Sequence, residues 1–182
     1  MSSIAHTWAE AVKRQPGPPR ALYADPFDPI TAWHLAVIDE AAPIFGELIL
    51  LVTGAADHGA LFQAEERAIL ARELTRSHRN VRVEVTSREV TEVARDRNVR
   101  YLIKALSEGE DPRLAADSAR RDYLWAPDVT PIFVPLPQRV VAVGSEDLKA
   151  LARRGARLSR FCHPRVARLL QERLKERLGD AP

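Results

Sequence analysis

Residues 48–52 read Leu-Ile-Leu-Leu-Val, a run with no polar position, and this constrains the fold more than any other stretch. A strand without a polar face must be covered on both sides, as the inner strands of parallel sheets are. The neighbouring segments agree. Arg20 to Ala24 predicts a first strand, and Ala32 to Phe45 carries Trp33, Ala36, Val37, Ala41 and Ile44 at helical spacing. Gln63 to Ser77 predicts a helix, and Val81 to Val85 alternates as a strand. Ser87 to Arg97 predicts a helix with Ser87 as N-cap and Val90 facing inward. Val99 to Ile103 and Ile132 to Val134 predict short strands, and Asp111 to Trp125, Glu146 to Arg154 and Pro164 to Leu178 predict helices. Strands alternating with helices form βαβ units around a parallel sheet. The expectation is an α/β, Rossmann-like, doubly wound parallel five-stranded sheet with helices on both faces. It spans residues 20–182, after a flexible N-terminal arm over residues 1–19. The arm has a short helical pattern at residues 4–14 and ends in Gln15-Pro16-Gly17-Pro18-Pro19, which breaks helix and strand alike. Trp8 makes it a candidate docking segment, against the plainer reading of a loose terminus.

The chain has 182 residues, enough for one domain with a sizeable core. Its 27 basic and 25 acidic residues give a net charge of +2, too even to suggest nucleic-acid binding. Arg153, Arg154, Arg157, Arg160, Arg165 and Arg168 cluster near the end, but acidic residues follow them and only Phe161 is interleaved, so a solvated face is the better reading. Cys162 is the only cysteine, which excludes an internal disulfide and fits a cytoplasmic protein. No apolar run is long enough to cross a bilayer. His34, His58, His78 and Cys162 lack metal-site spacing, and neither G-x-x-x-x-G-K-[ST] nor G-x-G-x-x-G occurs.

In a sheet of this kind ligands bind beyond the carboxyl ends of the strands, where the strand order reverses. The segment after the first strand, residues 23–34, reads Tyr-Ala-Asp-Pro-Phe-Asp-Pro-Ile-Thr-Ala-Trp-His. A strand runs into a two-proline turn and then into a helix opening near Thr31. Helix N-termini attract phosphate, and a histidine in the first turn can donate to a phosphoryl oxygen. A plain N-cap threonine followed by a surface histidine is the structural alternative.

Tyr23, Phe27-Asp28-Pro29-Ile30-Thr31 and His34 resemble the first-strand motif of the phosphopantetheine adenylyltransferases, Tyr-Pro-Gly-Thr-Phe-Asp-Pro-Ile-Thr-x-Gly-His. Phe62-x-x-Glu65-Glu66-Arg67, Leu102-Ile103-Lys104-Ala105-Leu106, Asp111 and Val143 to Lys149 extend the resemblance over about residues 20–178. It implies adenylyl transfer from ATP, or another nucleoside triphosphate, with Mg2+, to a small phosphorylated acceptor such as phosphopantetheine. It also implies a homo-oligomer. By the same resemblance His34 and Lys104 are the catalytic candidates, acting on phosphate. Phe27, Asp28, Thr31, Leu106 and Ser145 are the nucleotide- or substrate-binding candidates, with Phe27 and Leu106 lining the nucleotide side.

Several positions depart from that pattern. Asp25 and Trp33 replace glycines and Pro26 a threonine, while His58 replaces a lysine. Gly144 and Glu146 replace two of three serines, Lys104 and Ser107 replace arginines, Ala115 a carboxylate and Val140 an aromatic residue. Most remove positive charge or N–H donors, add negative charge, or fill space. Two readings follow: a nucleotidyltransferase with altered substrate, or a catalytically inactive homologue serving binding or assembly.

Overall fold

A computed structural model describes residues 18–54, 59–106, 113, 129–135 and 140–179. The candidate docking residue Trp8, the helix expected at 111–125 apart from residue 113, and the positions His58, Ser107, Asp111 and Ala115 lie outside the described residues. So does the arm, apart from Pro18 and Pro19; the Pro19 carbonyl accepts the Gly46 N–H at 2.8 Å.

Strands β1 (Arg20–Asp25), β2 (Glu47–Val52), β3 (Val81–Val85), β4 (Tyr101–Leu106) and β5 (Thr130–Pro135) form one sheet in the order β3-β2-β1-β4-β5. Every neighbouring pair is parallel. The described helices are α1 (Ala32–Ala41, followed by a 3-10 turn Ala42–Ile44), α2 (Ala64–Leu74), α3 (Val90–Asp96), α4 (Ser145–Arg153) and α5 (Pro164–Gly179). The expected doubly wound α/β architecture is therefore present.

Alternation along the inner strands divides the core in two. Tyr23, Leu48, Leu50, Val52 and Ile103 face a large cluster shared with α1, α2, α4 and α5. Leu22, Ile49, Leu51 and Leu102 face a smaller one with Val93 and Ala94 of α3 and with Val99 and Val129. The unbroken apolar run in β2 is thus buried on both faces, each covered strand side chain contributing about 1.5–3 kcal/mol.

Local differences have physical causes. Glu89, not Ser87, is the N-cap of α3. The backbone is first taken up by a turn in which the Thr86 hydroxyl accepts the Arg88 N–H at 2.9 Å. Ile44, expected on the inner face of the first helix, is 62 % exposed. Pro43 sits in the 3-10 turn there and alters the phase of the helix. Val90 packs against the smaller cluster at partial burial.

Candidate functional site

The strand order reverses between β1 and β4, and a cleft of about 860 Å³ opens at their carboxyl ends. Asp25, Pro26, Asp28, Trp33 and His34 line it from the turn after β1 and the start of α1. Lys104 lines it from β4, and Gly144 to Asp147 with Lys149 from the start of α4. His34, Lys104 and Ser145, far apart in the chain, therefore share one opening.

The turn after β1 is built on Asp25. One of its oxygens, Oδ1, accepts the Phe27 N–H at 3.0 Å. Phe27 is then held in the left-handed region, φ 48°, which costs a residue with a Cβ roughly 1–2 kcal/mol. This conformation turns the ring inward. Phe27 is fully buried, with its ring centroid 5.5 Å from that of Tyr23 and 5.1 Å from that of His34, both edge-on. It is therefore a core residue and does not line the cleft, contrary to the expectation of a nucleotide-facing ring. Leu106, the last residue of β4, is likewise absent from the lining, where the strand contributes Ile103, Lys104 and Ala105.

Thr31 is the N-cap of α1 and forms a capping box with His34 at the third helical position. The Thr31 N–H donates to His34 Nδ1 at 2.9 Å, and the Thr31 hydroxyl lies 3.1 Å from the same nitrogen. With Nδ1 accepting, the proton of a neutral ring is on Nε2. That nitrogen is 3.5 Å from Asp25 Oδ1. The Asp25 side chain is 34 % exposed, His34 only 6 %. Burial alone would raise the Asp25 pKa, but the His34 contact and the Phe27 N–H outweigh it and hold the carboxyl below its usual range. The first amide of α1 is also engaged, since Ala32 N–H donates to the Phe161 carbonyl at 2.8 Å. Trp33 lines the cleft without closing it. Burial pushes the Tyr23 phenol far above its ordinary range.

Asp28 serves the frame of the cleft. Its two oxygens accept Leu61 N–H at 2.8 Å and Phe62 N–H at 2.9 Å, and Lys149 Nζ lies 3.1 Å from Oδ2. The ammonium of Lys149 also pairs with Glu146. Ser145 Oγ donates to the Pro29 carbonyl at 2.9 Å, tying the start of α4 to the turn after β1.

Arg67 is an organiser that motif reading alone does not single out. It is buried, and its guanidinium donates to four carbonyls: Phe62 at 3.1 Å, Pro26 at 2.6 Å, Thr53 at 2.8 Å and Gly54 at 2.9 Å. The fork thus pins the loops after β1 and β2 to α2. Its signal in the sequence is Phe62-x-x-Glu65-Glu66-Arg67, in which Glu66 pairs with Arg173 of α5 at 2.6 Å. Arg173 also lies 5.2 Å above the Phe62 ring. Of the late arginines, Arg165 pairs with Glu73 and Arg168 with Glu172, as expected of a solvated face.

Among the described residues, no three His, Cys, Asp or Glu side chains converge on a common point that could hold a metal ion. No described helix is long and apolar enough to cross a membrane. A solved structure described as a nicotinate-nucleotide adenylyltransferase from Vibrio parahaemolyticus superposes with a TM-score of 0.57 at 14% identity. The match covers 85% of this chain and 99% of that one. At that identity the likeness establishes the fold. The family model described as cytidylyltransferase-like matches residues 23–126, more than half of the chain and inclusive of the turn after β1. The chain belongs to the cytidylyltransferase-like family, within the nucleotidyltransferase superfamily.

Proposed function

We propose that this protein transfers a nucleotidyl group from a nucleoside triphosphate to a small phosphorylated acceptor. Phosphopantetheine is the acceptor that the sequence resemblance favours. The observation that carries this reading is the convergence of His34, Lys104 and Ser145 on one cleft at the point where the strand order reverses. The reaction needs no protein nucleophile. An acceptor phosphate oxygen attacks the α-phosphorus in line, the bond to the β-phosphate oxygen breaks, and pyrophosphate leaves. The protein supplies position and charge. His34 donates through Nε2 because its Nδ1 is committed to the Thr31 N–H. The Lys104 ammonium offers a point charge to phosphate, without an arginine's planar fork. Magnesium would be held mainly by the substrate's phosphates, with the Asp25 carboxylate that lines the cleft joining them, and would neutralise phosphate charge.

One observation favours the alternative of a catalytically inactive homologue: the Asp25 carboxylate lies 3.5 Å from Nε2, beside the donor that a phosphate would use. A single assay separates the readings. The protein is incubated with magnesium, phosphopantetheine and ATP or CTP, and pyrophosphate release is followed. Transfer predicts release that falls at least about a hundredfold in His34→Asn, the scale typical of losing one charge-stabilising donor. Absence of release, together with no thermal shift by either nucleotide, counts against transfer with these substrates and favours the inactive reading.

A further inference from the structure

We infer that Asp25 is the specificity-determining residue of the cleft: its carboxylate competes with incoming phosphate for the Nε2–H of His34, so that a phosphoryl group lacking its own cation is selected against. The inference rests on the cleft being the phosphate-handling site proposed above. Three features of the geometry point to it. First, Asp25 is anchored, because Oδ1 takes the Phe27 N–H at 3.0 Å, so the side chain cannot swing away without releasing the turn. Second, the tautomer is fixed. His34 Nδ1 is filled by the Thr31 N–H, which leaves Nε2 as the ring's one donor in its neutral form, and Asp25 lies against that nitrogen. Third, two cations beside the cleft other than Lys104 are turned elsewhere. Arg67 directs its fork to four backbone carbonyls, and Lys149 is held by Asp28 and Glu146. Glu146 and Asp147 add acidic groups on the side of α4.

An anionic oxygen seated on Nε2 would lie within hydrogen-bonding distance of the ring and thus a few ångströms from the Asp25 carboxylate. Like charges so close repel even at the effective dielectric of a protein surface. Neither contact of Asp25 uses Oδ2. This oxygen is therefore available for a hydrogen-bond donor or a cation carried by the ligand. The class of ligand group preferred beside His34 is accordingly neutral or positive, or a phosphate accompanied by a metal ion.

The test is calorimetric titration of the full chain with inorganic pyrophosphate, without divalent ions, in wild type, Asp25→Asn, His34→Asn and the double variant. Asp25→Asn keeps an oxygen for the Phe27 N–H and removes the charge. His34→Asn keeps an acceptor near the Nδ1 position and removes the Nε2 donor. The expected result is that Asp25→Asn tightens pyrophosphate binding by at least about tenfold, the effect of relieving one close like-charge pair. That gain should be lost when His34 is also replaced, since the competition is for its proton. Unchanged or weaker binding in Asp25→Asn, or no measurable binding in either protein, overturns the inference. An equal gain in the His34→Asn background also overturns it, because the effect would then be general charge. Melting curves of each variant verify that it is folded. Pyrophosphate release in the transfer assay is a separate readout: if transfer is absent while Asp25→Asn binds more tightly through His34, the transferase reading falls and this inference stands.

Discussion

Asp25 and Asp28 lie three residues apart on the same turn, yet one faces the cleft and the other holds the scaffold behind it. Asp28 is buried and satisfied by two backbone N–H groups and an ammonium. Asp25 is one-third exposed, lines the opening, and places one oxygen against the imidazole. Asp28 stands where the resembling family also has an aspartate, whereas Asp25 stands in place of a glycine. The comparison teaches that a motif can persist because the frame needs it while the chemistry beside it changes. Retention of Phe27-Asp28-Pro29-Ile30-Thr31 therefore argues for the fold more strongly than for the reaction.

The largest expected effect is that of Asp28→Ala. It strands two buried N–H groups and leaves the Lys149 ammonium with Glu146 alone, and removing one partner of a buried pair costs about 3–5 kcal/mol. Chemical denaturation should register that loss, and a change under about 1 kcal/mol would break the distinction. Asp25→Ala should cost only about 1 kcal/mol, the net worth of the hydrogen bond to Phe27. A loss as large as that of Asp28→Ala would make Asp25 a scaffold residue as well. The smallest effect concerns pH. The Asp25 carboxyl is held below its ordinary value of 3.8 in the folded state, so the stability it adds is present above that pH and fades as pH falls through the folded value. The difference in stability between wild type and Asp25→Asn should therefore hold from neutral pH to about 4 and shrink below it, as melting curves across pH 2–7 would reveal. A difference that grows on acidification would reverse the assigned direction.

Much of the fold is legible from the sequence because it is written in side-chain period. The unbroken apolar run of β2, the alternation of β3 and the short apolar run of β5 each predict their strand, and strands alternating with helices predict a parallel sheet, whereas the strand order is seen only in the structure. The end of the sheet at which the cleft opens follows too, because ligands bind beyond the carboxyl ends of such strands. The roles within it are less legible. Arg67 stands within a recognisable motif, but its four acceptors are backbone carbonyls of residues 26, 53, 54 and 62, and carbonyls leave no trace in sequence. The inward turn of Phe27 is similarly hidden, because it depends on a left-handed backbone held by the Asp25 carboxylate. Sequence reasoning foresees a repulsive charge at Asp25 but not its contact with His34. That contact requires the tight turn to bring residues nine apart face to face.

The bonds that complete the turn after β1 come from far along the chain. Phe161 caps the first amide of α1, while Ser145 and Lys149 bond Pro29 and Asp28 across separations of 116 and 121 residues. During synthesis the ribosome releases the early motif long before these partners exist. Nascent chains halted before residue 145 should consequently hold the motif open and sensitive to protease, and maturation of the cleft would be timed by the emergence of the last two helices.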